Sequence, residues 1–176
     1  LQVLREPGRS AQSKSYMWLY RTGCDAEHPI VLYEYRPNRK AENAAAFLQG
    51  FTGYLHADGY SGYHKLPGSI RVVGCWAHAR RKFDEAVNAL PKGEQAGCAA
   101  LEGQRFCNQL FSIEREIAGL PFEERCIQRQ SRAKPVLNAL LSWAERSKAP
   151  PKSALGKAVY YLKEQWPYLI RYLEDG

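Results

Sequence analysis

The first third of the chain carries two short patterns that favour β-strands. Residues 15–22 and 30–35 are rich in aromatic and β-branched side chains, which are the residue types that strands favour. The turn-prone residues 23–29 lie between them. This spacing predicts an antiparallel hairpin.

The next stretch changes from a helical pattern to two strand patterns. Apolar residues at intervals of three and four predict a helix that Gly53 ends. These residues are Ala44, Phe47, Leu48 and Phe51. Residues 54–57 and 70–76 then have the pattern of buried strands. Because a strand, helix and strand in this order favour parallel pairing, we expect one sheet over residues 15–77, with the strand before Asp58 at its centre.

Helical patterns continue from there to the last residue. A helix is expected to begin near His78, and three apolar stripes follow beyond Pro91. The stripes are Phe106, Leu110, Ile113 and Ile117; Leu137, Leu140, Leu141 and Ala144; and Leu155, Ala158, Val159, Leu162 and Trp166. Prolines are expected to separate these helices, at Pro121, Pro135, Pro150, Pro151 and Pro167. The predicted class is α+β, with a mixed portion over residues 1–90 and an all-helical portion over residues 91–176.

Composition favours a folded protein of the reducing cytosol. The chain has 45% apolar residues, with four Trp and eleven Tyr. Its five cysteines show no paired C-x-x-C spacing, which argues against a disulfide framework and a four-cysteine zinc site. No run of about 18 to 20 apolar residues could span a membrane, and the first residues lack a signal-peptide layout. We therefore expect a soluble, intracellular protein.

The charge is uneven along the chain. The net charge is +7, and residues 125–157 hold eight cationic side chains against the single acid Glu145. Arg129, Arg132 and Lys134 belong to this basic segment. It could follow a phosphate backbone and gain affinity by releasing counterions, or it could be a solvated helix face. The sequence leaves both interpretations open.

Asp58 is the first candidate for chemistry. Alternation along residues 54–58 places Tyr54, His56 and Asp58 on one face, and Gly59 allows close approach of backbone or substrate. A carboxylate at a strand end could bind a hard cation such as Mg²⁺. Asp followed by Gly is also common in turns, so a purely structural role is the alternative.

The second candidate region begins at Cys75. Cys75 and His78 are possible metal ligands, but structural zinc normally needs four and no second pair follows. His78 either supports a site or packs at the start of a helix. Arg80, Arg81 and Lys82 are expected in the first helical turn, where the helix dipole disfavours cations. They therefore either face phosphate or an acidic group, or are simply solvated.

Several segments together resemble the insertion sequence 66 family of bacterial transposases. The two most distinctive are Leu55-His56-Ala57-Asp58-Gly59-Tyr60 and Gly74-Cys75-Trp76-Ala77-His78-Ala79-Arg80-Arg81-Lys82-Phe83. The others are residues 15–23, 29–35, 151–157, 165–166 and 172–176. They occur in the family's order and cover most of the chain.

The resemblance implies a ribonuclease H-like catalytic domain that carries an Asp-Asp-Glu triad, with a helical insertion before the Glu. Residues 1–90 would belong to the catalytic core, and residues 91–176 to the insertion. Asp58 would be the second Asp and a metal ligand, and His78 would be the His of a Cys-x-x-His pattern. The complete enzyme would use Mg²⁺ or Mn²⁺ for phosphoryl transfer on DNA.

The same resemblance implies that this chain is catalytically incomplete. The first Asp would precede residues 1–4 and the Glu would follow residues 173–176, so Glu174 and Asp175 are not expected to be catalytic. Metal binding by the fragment should be weak or absent. The expected partners are transposon ends, target DNA and further copies of the full-length protein, in the bacterial cytoplasm at the nucleoid. The alternative is a non-enzymatic DNA-binding or assembly module.

Overall fold

The computed structural model describes residues 6–23 and 26–176. The chain forms two compact units. The first comprises the described part of Leu1–Phe51 together with Ser61–Gly68, and the second comprises Thr52–Tyr60 together with Ser69–Gly176. Residues 24 and 25 of the predicted turn, and residues 1–4 of the resemblance, lie outside the described residues.

The first unit contains the predicted hairpin. Strand β1 (Tyr16–Arg21) pairs antiparallel with β2 (Val31–Arg36), from Tyr16 opposite Arg36 to Arg21 opposite Val31. This confirms the hairpin prediction. On the face that packs inside the unit, Trp18 is buried, because alternation places every second side chain of β1 on that face.

Helix α1 (Ala41–Phe47) follows the hairpin in the first unit. Its Phe47 ring stacks on Tyr20 of β1, with ring centroids 3.6 Å apart. The prediction that Gly53 ends this helix is wrong. The helix ends at Phe47, and Gly50 adopts a φ of +79° that non-glycine residues rarely adopt. Gly53 instead opens the next strand.

The second unit begins with a parallel strand pair. Strand β3 (Gly53–Ala57) pairs with β4 (Ile70–Gly74), from Gly53 opposite Ile70 to Ala57 opposite Gly74. Six α-helices and two short helical turns follow β4 in the described chain. They are α2 (Trp76–Asn88), α3 (Lys92–Gln95), α4 (Ala99–Ile117), α5 (Phe122–Gln128), α6 (Lys134–Arg146), α7 (Ala154–Leu169) and a π-helical turn (Arg129–Ala133), and a 3-10 turn (Ile170–Leu173) comes last.

The prediction of one sheet over residues 15–77 is wrong for the described chain. Strands β1 and β2 form one two-stranded sheet, and β3 and β4 form another. Strand β3 therefore has one partner and is not central. A strand pattern shows which side chains share a face, but it does not specify which strands come together.

Four of the helices build the larger core. The largest fully buried side chains of this core come from α2, α4, α6 and α7, and include Phe83, Ile117, Leu137, Leu140 and Leu162. Gly103 of α4 faces α2 directly, since a Cβ there would lie 2.6 Å from the Phe83 ring. The three predicted apolar stripes fall on α4, α6 and α7, which confirms them.

Prolines separate the helices less often than predicted. Pro135 lies in the first turn of α6 and Pro167 lies inside α7, so neither ends a helix. Pro135 directly follows a π-helical turn (Arg129–Ala133), in which the Lys134 N–H donates to the Arg129 carbonyl oxygen. The α+β class and the all-helical C-terminal region are confirmed. The second unit spans residue 90, and the division there into a ribonuclease H-like portion and an insertion stays a prediction.

No helix in the described ranges has both the length and the apolar character needed to cross a membrane.

Candidate functional site

Asp58 directly follows β3, at the edge of the sheet where β4 also ends. In a parallel pair the carboxyl ends lie at the same edge, and Ala57 of β3 is opposite Gly74 of β4. Asp58 therefore lies near the end of β4 and the start of α2. Its Oδ1 accepts a hydrogen bond from the Tyr60 backbone N–H at 3.0 Å. This closes a tight turn over Gly59 of the kind that Asp favours.

Cys75 connects β4 to α2 at the same edge. It occupies the position before the first helical residue, Trp76, and is a free, half-buried thiol. A hydrogen bond with His56 lowers the pKa of Cys75 to about 6, with further help from His78, although burial opposes the shift. A thiol with this pKa is largely thiolate at neutral pH.

His56 approaches Cys75 from β3. Its Nε2 lies 3.2 Å from the Gly74 carbonyl oxygen. The hydrogen bond with Cys75 raises the pKa of His56. Strand alternation in the sequence predicts that His56 shares a face with Asp58, but it predicts no role for His56. The available signal was strand alternation, because His56 precedes Asp58 by two residues. Its contact with Cys75 depends on strand pairing and had no local signal.

His78 lies in the first turn of α2 and is half-buried. A hydrogen bond from its side chain helps to lower the pKa of the Cys75 thiol. The structure thus brings Asp58, His56, Cys75 and His78 to one edge of the β3 and β4 pair.

The three cations of α2 lie one turn later than predicted. Because the helix begins at Trp76, two residues before His78, Arg80, Arg81 and Lys82 lie in the second turn, where the dipole effect is weaker. Arg80 donates to Asn108 Oδ1 at 2.6 Å. Arg81 and Lys82 pair with Glu85, at 3.9 and 2.8 Å. Such exposed pairs contribute little to stability and exchange easily for other anions.

The basic segment is partly neutralised by acids of α4. Arg129 donates from Nη2 to Glu114 Oε2 at 2.7 Å and from Nε to Glu114 Oε1 at 3.0 Å. It also donates to the carbonyl oxygens of Tyr172, at 3.3 Å, and Asp175. Arg132 pairs with Glu116.

Lys134 differs from these two arginines. It is exposed at the start of α6, and it pairs with no acid among residues 6–23 and 26–176. The six candidate DNA-binding cations are therefore not equivalent, and Arg129 has the most intramolecular partners.

The donor set at the strand edge does not make a complete metal site. Nowhere in the described ranges do three or more His, Cys, Asp or Glu side chains come together so that they could hold a metal ion. Asp58 suits a hard cation such as Mg²⁺ as a single oxygen ligand, whereas His56, Cys75 and His78 suit softer ions.

Comparisons with known proteins match all or most of the chain. The sequence model described as "Transposase IS66 family" matches residues 1–176. Three similar proteins come from Sinorhizobium fredii (strain NBRC 101917 / NGR234), and each is described as an uncharacterized protein. The chain is 30% identical to y4qI over 97% of its length, 31% identical to y4hP over 84%, and 32% identical to y4jD over 97%.

The match covers 33%, 30% and 35% of these three relatives. The chain therefore spans about one third of the length of the curated relatives it matches. No solved structure matches it.

Proposed function

The chain belongs to the Transposase IS66 family, and on that premise we propose that it is the central part of a bacterial DNA transposase. The complete protein would cleave and transfer DNA strands at transposon ends. The observation that supports this most directly is the position of Asp58 at the end of β3, beside the end of β4. A carboxylate at such an edge would hold a divalent cation, and the cation would bind the substrate phosphate.

Asp58 would be one of three carboxylates that hold divalent ions in the complete enzyme, in a ribonuclease H-like domain. The other two, an Asp and a Glu, would lie outside residues 1–176. Mg²⁺ or Mn²⁺ would supply an activated oxygen nucleophile and stabilise the leaving oxygen. Because the described residues do not form a complete metal site, the isolated chain should bind these ions weakly and should not cleave DNA.

The cations would hold the nucleic acid. Arg80, Arg81 and Lys82 follow the strand edge along α2 and would contact phosphates near Asp58. Arg129, Arg132 and Lys134 would contact the DNA elsewhere, and His78 would support the site. The partners would be transposon ends, target DNA and other copies of the full-length protein, in the bacterial cytoplasm at the nucleoid.

The test compares the isolated chain with a version extended at both ends by its flanking sequence. Each is incubated with labelled transposon-end DNA and Mg²⁺ or Mn²⁺. We expect strand cleavage by the extended protein alone. His78→Ala should reduce the rate less than loss of Asp58 does. DNA binding without cleavage by the extended protein would instead favour a non-enzymatic DNA-binding or assembly module.

A further inference from the structure

Helix α7 packs directly on the turn that follows β3. A Cβ atom added to Gly59 would lie 2.9 Å from both Cε2 and Oη of Tyr161, and 3.0 Å from Cδ of Gln165. Real Cβ atoms do not come this close to other atoms, so no larger residue fits without moving α7 side chains. Gly59 is needed here because it has no side chain, which allows the close approach of α7. Its backbone conformation does not require glycine, since its φ is not in the left-handed region.

Tyr161 and Gln165 present one continuous surface to this turn. They are four residues apart on α7 and therefore lie on the same helical face. Gln165 is buried and Tyr161 is half-buried. Burial raises the pKa of Tyr161 and the negative charge of Asp58 adds to this, whereas a hydrogen bond with the Gly59 backbone lowers it. The Tyr161 hydroxyl thus contacts Gly59 and lies within the field of the Asp58 carboxylate.

Helix α7 is itself fixed to the end of β4. The Trp76 Nε1–H donates to the Leu169 carbonyl oxygen at 3.1 Å. A Cβ on Gly74 would lie 3.1 Å from the Leu169 backbone nitrogen, so the helix and the strand end are in contact. At its other end, the Ser153 hydroxyl accepts a hydrogen bond from the Gly156 N–H at 3.0 Å. The face of α7 that contacts Gly59 is therefore held in place at both ends of the helix.

We propose that Tyr161 is a positioning residue for Asp58. Its ring and hydroxyl hold Gly59, and this fixes the turn in which Asp58 Oδ1 accepts the Tyr60 N–H. The carboxylate is then held in one orientation at the strand edge. Catalytic groups must be held to within about 0.5 Å of their productive geometry. This inference rests on the proposed function, in which Asp58 binds a metal ion and its orientation therefore affects catalysis.

The first experiment measures the turn without any catalysis. Hydrogen exchange of the Tyr60 amide is followed in the 176-residue chain for wild type, Tyr161→Phe and Tyr160→Phe. Tyr160 is the matched control, since it is the neighbouring tyrosine and is 65% exposed. Loss of one hydrogen bond should raise exchange at Tyr60 by roughly three- to tenfold in Tyr161→Phe alone.

Two results would overturn the inference. One is equal exchange at Tyr60 in the two variants. The other is a uniform rise across the amides of β3, β4 and α2 in Tyr161→Phe, because a merely structural role would loosen the whole unit and not this turn.

The second experiment measures strand cleavage by the protein extended at both ends. Tyr161→Phe should slow cleavage by roughly ten- to a hundredfold, and Tyr160→Phe should leave it unchanged. If Asp58→Asn is inactive while Tyr161→Phe cleaves at the wild-type rate, the positioning role is wrong and the proposed function stands. If Asp58→Asn is fully active, the proposed function fails, and the purpose assigned to Tyr161 fails with it.

Discussion

The strand edge at Asp58 and the basic segment at Arg129 are both candidate functional regions in the sequence, but their side chains have different surroundings in the folded protein. At the edge, Asp58, Cys75 and two histidines converge from β3, β4 and α2. In the basic segment, Arg129 and Arg132 are paired with Glu114 and Glu116 of α4. Polar residues that are separated in sequence form the first region, whereas a cluster that is obvious in sequence is partly neutralised in the second. Charge counted along a chain therefore does not measure charge available to a ligand.

The largest effect is expected from removing the Asp58 carboxylate. In the protein extended at both ends, Asp58→Asn should lower the rate of strand cleavage by at least about a thousandfold, because the amide keeps the shape but loses the negative charge that metal ions require. Asp175→Asn is the matched control and should retain wild-type activity. A Mg²⁺-dependent cleavage assay decides between them, and equal rates for the two variants would contradict the assignment of Asp58.

The next largest effect is expected in the reactivity of two thiols, Cys75 at the strand edge and Cys107 in the core. The pKa of Cys75 is lowered to about 6, and burial raises that of Cys107 to about 12. Because only the thiolate is nucleophilic, alkylation of Cys75 should rise with pH through about 6 and level off near pH 7. Cys107 should stay unreactive at neutral pH. Mass spectrometry after iodoacetamide treatment over a range of pH measures both.

His56→Asn provides the control for this thiol. The change removes the hydrogen bond that contributes most to lowering the Cys75 pKa, so the midpoint of alkylation should move up towards 8.5, the ordinary value for a thiol. Identical midpoints in wild type and His56→Asn would show that His56 does not set the reactivity.

A smaller effect, on the free energy of unfolding, is expected from changes in the basic segment. Arg129→Ala should lower the free energy of unfolding by about 1 to 3 kcal/mol, because it leaves Glu114 and two backbone carbonyls without their donor. Lys134→Ala, which changes an exposed cation, should have an effect within about 0.5 kcal/mol. Urea unfolding of the 176-residue chain measures both. Equal losses would mean that the pairing of Arg129 contributes nothing.

The smallest effect is expected in DNA affinity. Binding to duplex DNA should weaken steeply with salt and depend little on sequence. The variant with Arg129, Arg132 and Lys134 all changed to Ala should bind more weakly, with most of the loss already present in Lys134→Ala. Each phosphate contact that is lost should reduce the salt slope by about 0.9. Equal affinities for wild type and the triple variant would assign these cations to stability and solvation.

Local patterns predicted the elements well, because they depend on periodicity. The hairpin, the two later strands and the apolar stripes of α4, α6 and α7 all lie where the sequence indicated. Helix ends were less predictable. α1 ended before Gly53, and α2 began two residues before His78, which moved Arg80 out of the first turn. End positions depend on which backbone groups find partners, and neighbours in the chain specify this only in part.

By itself, the sequence determined the α+β class, the family, and the position of Asp58 at the end of a strand. Each of these follows from residue types and their order. Only the tertiary structure decided that His56 reaches Cys75, that Tyr161 covers Gly59 and that Glu114 neutralises Arg129. These contacts join residues 19, 102 and 15 positions apart. Hydrogen bonding and charge pairing act over a few ångströms, so their partners are set by how strands and helices pack and not by distance along the chain.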